Sequence, residues 1–105
     1  MDEMLLGIED WLEHAGEPDV RYELIDGRLV AMNAPKEWHG VIAAQITVLC
    51  ARALEGRPPC RVQQQAGIEI RRKPKATGYI ADLAVTCEPI DKNRPLMTAP
   101  RLVIE

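Results

Sequence analysis

From Val41 to Leu54 the chain is apolar at nearly every position, with only Gln45, Thr47 and Arg52 interrupting. No strand runs that long, and no loop is that apolar. Opened by Pro35-Lys36-Glu37, where a proline early in a helix loses nothing by lacking its N–H, the segment predicts a long helix over 35–55. Gly56 and Pro58-Pro59 end it. A helix apolar all round is expected to be buried on most faces, which makes it the central helix of the fold. Everything else has to be arranged to cover it.

The rest supplies sheet. Tyr22 to Met32 places apolar runs on both sides of Asp26-Gly27, a dipeptide that accepts positive φ at both turn positions and so predicts a tight hairpin. Arg61–Gln65 and Gly67–Arg71 read as strand material, 73–78 as a turn or loop, and 79–86 and 101–105 as further strands. The connection before the last strand is polar and proline-containing. Upstream, Met4, Leu5, Ile8, Trp11 and Leu12 share one face of a helix over 3–15 that stops at Gly16. The order is helix, hairpin, long helix, then three or four strands: an α/β domain.

At 105 residues the chain is one domain at most. No apolar run approaches the roughly 20 residues of a membrane span, and the acidic N-terminus lacks the basic start of a secretion signal. Cys50, Cys60 and Cys87 form neither a disulfide framework nor a zinc pattern, so they read as small buried thiols in a reducing cytoplasm. Net charge is −3 but uneven: −7 over residues 1–37, +5 over 52–75 and −1 over 76–105. The basic middle is either a phosphate-facing stripe or a solvated hairpin edge whose charges discourage strand pairing.

Two strands carry acids in apolar surroundings. Asp82 lies within Tyr79–Val85, and Glu105 follows Arg101–Ile104. A carboxylate there is costly unless something cationic or protic meets it. If the strands are neighbours, the two acids converge at one rim and can hold a hard divalent ion, Mg²⁺ or Mn²⁺, which takes oxygen ligands and keeps water for chemistry. Ordinary surface or hydrogen-bonded acids give the same pattern, so the residues alone leave both readings open. His39 is either a ligand, base or phosphate contact, or a helix-start histidine bonded to nearby backbone. Glu23 is either solvated or turned towards the carboxylates, and Glu37 suits the helix dipole. His14 suits the end of the first helix. Trp11 and Trp38 read as anchors that pack helices onto the sheet. Gly-rich phosphate loops, a Gly-x-Ser-x-Gly elbow and Cys/His clusters are absent from the sequence.

In order, Tyr22–Val30, Ala34-Pro35 through His39, Gly67–Ile70, Tyr79–Val85 and Pro100–Glu105 resemble the Uma2 family (DUF820), restriction-endonuclease-like proteins of the PD-(D/E)XK superfamily. The resemblance implies a mixed sheet with a central long helix and DNA as substrate. It further implies Asp82 and Glu105 as metal ligands, with Glu23 and His39 at motif positions. Ala81 stands where the motif usually has proline. The family's following strand and lysine are missing, so the expectation is a single 1–105 domain truncated at its C-terminus and catalytically inactive. Lys73, Lys75 and Lys92 all fall in predicted loops and replace that lysine poorly. The alternative is a non-catalytic module that keeps the fold and self-associates as a homodimer.

Overall fold

A computed structural model describes residues 4–14, 21–32, 36–71 and 75–105. In chain order the elements are α1 (Ile8–His14), β1 (Arg21–Ile25), β2 (Arg28–Met32), α2 (Glu37–Ala53), β3 (Arg61–Arg71), β4 (Ala76–Thr86) and β5 (Pro100–Ile104). The strands form one sheet in the order β2-β1-β4-β3, with β5 also paired to β4. The pairings of β1 with β2 and of β4 with β1 and β5 are antiparallel. A lone parallel bridge joins Ile68 to Met97. The α/β class expected from the sequence is the one found. No helix among the described residues is long and apolar enough to cross a membrane.

The residues gather into two compact units, Met1–Ala34 with Glu69–Tyr79, and Pro35–Ile68 with Ile80–Glu105. In the first unit the hairpin turns at Asp26 and Gly27, with φ of 48° and 83°. These are the left-handed values that a two-residue turn needs to match the strand twist. Leu24, fully buried, faces Leu29 across the hairpin and pairs with Gly78 of β4. Trp11 is buried, and its indole N–H donates to the Tyr22 carbonyl at 2.9 Å. A Cβ at Gly78 would overlap the Trp11 ring, so glycine there is a packing requirement. Helix α1 begins later than the apolar spacing suggests, at Ile8, where the Asp10 carboxylate reaches back to accept the Gly7 N–H at 2.8 Å, one half of a capping box. At its other end His14 Nδ1 meets the Asp10 carbonyl at 2.9 Å.

Arg71, at the end of β3, pairs with Glu9 and Glu69 at 2.9 Å each. The Glu9 hydrogen bond raises the guanidinium's pKa, and Arg71 lowers that of Glu9. This part of the basic stretch is therefore a solvated, already neutralised edge. Arg72 and Lys73, also of this stretch, lie outside the described residues.

The second unit has its core in Ala66, Ile68, Ala81, Leu83, Ala84, Leu96 and Met97. Thr86 is buried with them and donates through Oγ1 to the Ala99 carbonyl at 2.9 Å. The two stretches read separately as 61–65 and 67–71 are one strand, and Gln65 takes a φ of 49° within it. β4 starts at Ala76, so the predicted loop over 73–78 gives way to strand from that residue.

Two expectations fail here. No residue of α2 is buried, and Trp38 is exposed rather than an anchor. The helix forms as expected, but its apolar residues divide between a half-buried row (His39, Ala43, Ile46, Thr47, Cys50) and an exposed one. The second failure concerns the cysteines. Cys60 and Cys87 form a disulfide, leaving Cys50 as the free thiol. Cys60 immediately precedes β3 and Cys87 immediately follows β4, so the fold brings together residues that sequence spacing kept apart. With that bond the argument for a reducing compartment falls away.

Candidate functional site

The site rests on the register between β4 and β5. Leu83 faces Ile104, Ala84 faces Val103, and Val85 faces Leu102. One further step along the same antiparallel ladder sets Asp82 across from Glu105. Residues so opposed point to the same sheet face, with Cβ atoms typically about 4.5–5.5 Å apart. Both side chains line one cavity of about 200 Å³.

Helix α2 supplies the other wall. Its first turn carries His39, and Nε2 lies 3.0 Å from Asp82 Oδ2. An ionised carboxylate only accepts hydrogen bonds, so the proton of this contact sits on Nε2 and the histidine donates. This overturns the reading of His39 as bonded to nearby backbone through its ring. Ile42, Ala43 and Ile46 continue the same wall along the helix, and Leu83 and Ile104 close it from the strands. The side chain of Asp82 is 18% exposed and that of His39 34%. The acid is thus largely withdrawn from water and held by one donor, in walls that screen charge poorly.

Asp82, Glu105 and His39, three of the residues singled out in the sequence, meet at this cavity. Glu23 does not line it: it sits half-buried on β1, opposite Val30 in the hairpin. Glu37 is exposed on the first turn of α2 and is not among the lining residues either. Among the described residues no Lys or Arg lines the cavity. Lys73 lies outside the described residues, while Lys75 and Lys92 are exposed elsewhere.

Among the described residues no three His, Cys, Asp or Glu side chains are grouped closely enough to cage a metal. What the cavity offers is two carboxylates, with Asp82 Oδ2 already engaged by His39. That donor set does not suit zinc, which wants three or four nitrogen or sulfur ligands. It fits Mg²⁺ or Mn²⁺ retaining most of their water. The motif departure at residue 81 is harmless, since Ala81 is fully buried within β4 and leaves Asp82 in regular strand.

The contact the sequence did not reveal is His39 to Asp82. A signal for it was present: His39, Ile42, Ala43 and Ile46 are spaced to share one helix face.

Comparison with known families gives this arrangement a class. A family model described as "Putative restriction endonuclease" matches residues 8–105. That model is Uma2, and the chain belongs to the Uma2 family. No curated protein and no solved structure matches the chain.

Proposed function

We propose that this chain is an endonuclease-like domain in which Asp82 and Glu105 hold Mg²⁺ or Mn²⁺ at a cavity that receives a DNA phosphodiester. The observation that carries this reading is that Asp82 and Glu105, the residues next beyond the paired Leu83 and Ile104, both line that cavity. Divalent-metal use is general among restriction-endonuclease-like proteins. The ion, when bound, supplies Lewis-acid polarisation of a phosphate oxygen and a more acidic water.

The chain's own residues do three things in this reading. Asp82 and Glu105 provide hard oxygen ligands. His39 fixes the rotamer of Asp82 through Nε2–H, presenting the other carboxylate oxygen, Oδ1, to a ligand. Ile42, Ala43, Ile46 and Ile104 exclude bulk water and strengthen the charge interactions inside. Among the described residues that line the cavity there is no lysine or arginine to neutralise charge developing on a phosphate. In this reading the two carboxylates bind the ion, and the described lining engages DNA weakly. Glu23, which is not among the lining residues, has no role in this reading.

A supercoiled-plasmid nicking assay with Mn²⁺, alongside anisotropy of a labelled duplex, tests the proposal. Metal-dependent retention of DNA without nicking is the expected outcome. DNA binding unaffected by metal and by Asp82→Ala would remove the site from the function.

A second reading, a non-catalytic module that associates with its own copies, is favoured by the apolar residues that α2 leaves exposed.

A further inference from the structure

The large apolar residues that α2 exposes are not scattered. Trp38 is 62% exposed, Val41 56%, Ile42 45%, Val48 49% and Leu49 64%. At 3.6 residues per turn these five fall, with Gln45 and Arg52, in one stripe about 120° wide, whose edge at Trp38 and Ile42 borders the His39 row and also lines the cavity. The exposed area of the five side chains is on the order of 500 Å² per chain, near the upper end of the largest apolar patch on an ordinary monomer.

The order of residues in this stripe is what selects the occupant. Read outward from Gln45 it is close to a palindrome: Ile42 and Val48 lie three residues either side, Val41 and Leu49 four, and Trp38 and Arg52 seven. An antiparallel copy of the same helix, related by a two-fold axis at Gln45, would set Ile42 against the partner's Val48 and Val41 against the partner's Leu49. Trp38 would lie under the guanidinium of the partner's Arg52, a cation–π pair. The acid of the first turn, Glu37, would come beside that same arginine, so charge is complementary at both ends. The carboxamides of Gln45 would meet on the axis, each able to donate and accept. Opposed helix dipoles add to the fit. A parallel copy satisfies none of this, since it sets Arg52 against Arg52.

We infer that the outer face of α2 is a homodimer interface, formed by antiparallel packing of two α2 helices about a two-fold axis through Gln45. The inference deepens and rests on the self-association reading, and it shares Trp38 and Ile42 with the rim of the cavity. Two such patches bury about 1,000 Å² together, the low end for a specific interface, so the dimer is of roughly micromolar strength.

Sedimentation of the intact chain, combined with single-cysteine cross-linking, tests this. In a Cys50→Ser background, Gln45→Cys on the axis is expected to cross-link to itself with a short bis-maleimide. Ala51→Cys is expected not to, because its two copies would sit about 18 Å apart along the helices. Val48→Glu appears twice in the interface and is expected to weaken the dimer at least roughly 10-fold with unchanged helical circular dichroism. Leu49→Gln is a milder variant with the same direction of effect. A chain that stays monomeric across the micromolar range would overturn both the interface and self-association. A dimer indifferent to Val48→Glu, with no cross-link at position 45, would overturn this surface and leave self-association standing.

Discussion

His39 donates from Nε2 to Asp82 Oδ2 across 3.0 Å, linking the first turn of α2 to the middle of β4 over 43 positions of sequence. The carboxylate it reaches is mostly withdrawn from solvent, and a second acid, Glu105, lines the same cavity. In the proposed metal site the histidine would act as an outer hydrogen-bond partner, fixing the orientation of Asp82 without occupying a coordination position.

Removing that donor has a definite consequence. His39→Ala is expected to weaken Mn²⁺ binding about 10–100-fold, as loss of such partners typically does. His39→Gln, which can still donate to Asp82, is expected to recover part of the loss. Equal weakening by both would give the imidazole a different part.

Gly78 is tested by stability alone. Gly78→Ala drives a methyl group into the indole of a fully buried tryptophan. A cost of about 1–3 kcal/mol is expected, the usual range for an overfilled core, read as a lower denaturation midpoint in urea. The pair Gly78→Ala with Trp11→Leu is expected to recover part of it.

The disulfide gives a third test. It closes a loop across 27 positions, from just before β3 to just after β4. Cys60→Ser with Cys87→Ser is expected to lower unfolding free energy by about 2–4 kcal/mol, mainly by freeing the unfolded chain. Ellman titration of the unfolded, unreduced protein should count the Cys50 thiol alone.

Glu88 sets the acid limit. Burial pushes its pKa up, but hydrogen bonds from the Thr98 N–H and Oγ1–H, the charge of Arg94 and the Ala99 N–H outweigh that and hold it below the ordinary 4.5. A carboxyl more acidic in the folded chain binds fewer protons there than when unfolded. Its contribution is therefore fully present above about pH 4.5 and is lost as pH falls from there through the folded-state value. Glu88→Gln is expected to flatten the acid limb of a stability–pH curve below that point and to leave its neutral region parallel to the native one.

How far the sequence could be read follows from what each feature depends on. The hairpin is legible because Asp26-Gly27 is local: two residues able to take positive φ suffice. The strands carrying Asp82 and Glu105 are legible from their apolar runs. Their convergence is not, because it depends on which residue of β4 opposes which of β5, and a slip by one would send the acids to opposite faces. The disulfide is hidden for a similar reason, since only the placement of β3 and β4 brings Cys60 to Cys87. The burial of α2 misleads because a helix apolar all round has two explanations. One is full burial; the other is two separate apolar faces, one turned to its own unit and one outward. Composition does not distinguish them.

Isothermal titration of Mn²⁺ into the intact chain and into Asp82→Asn tests the central claim most directly. Asparagine keeps the shape of the side chain and removes the charge. Saturable binding of one ion by the native chain, lost in Asp82→Asn and in Glu105→Gln while both stay folded, is the expected result. Native-like Mn²⁺ binding by Asp82→Asn, or no binding by the native chain, would contradict it.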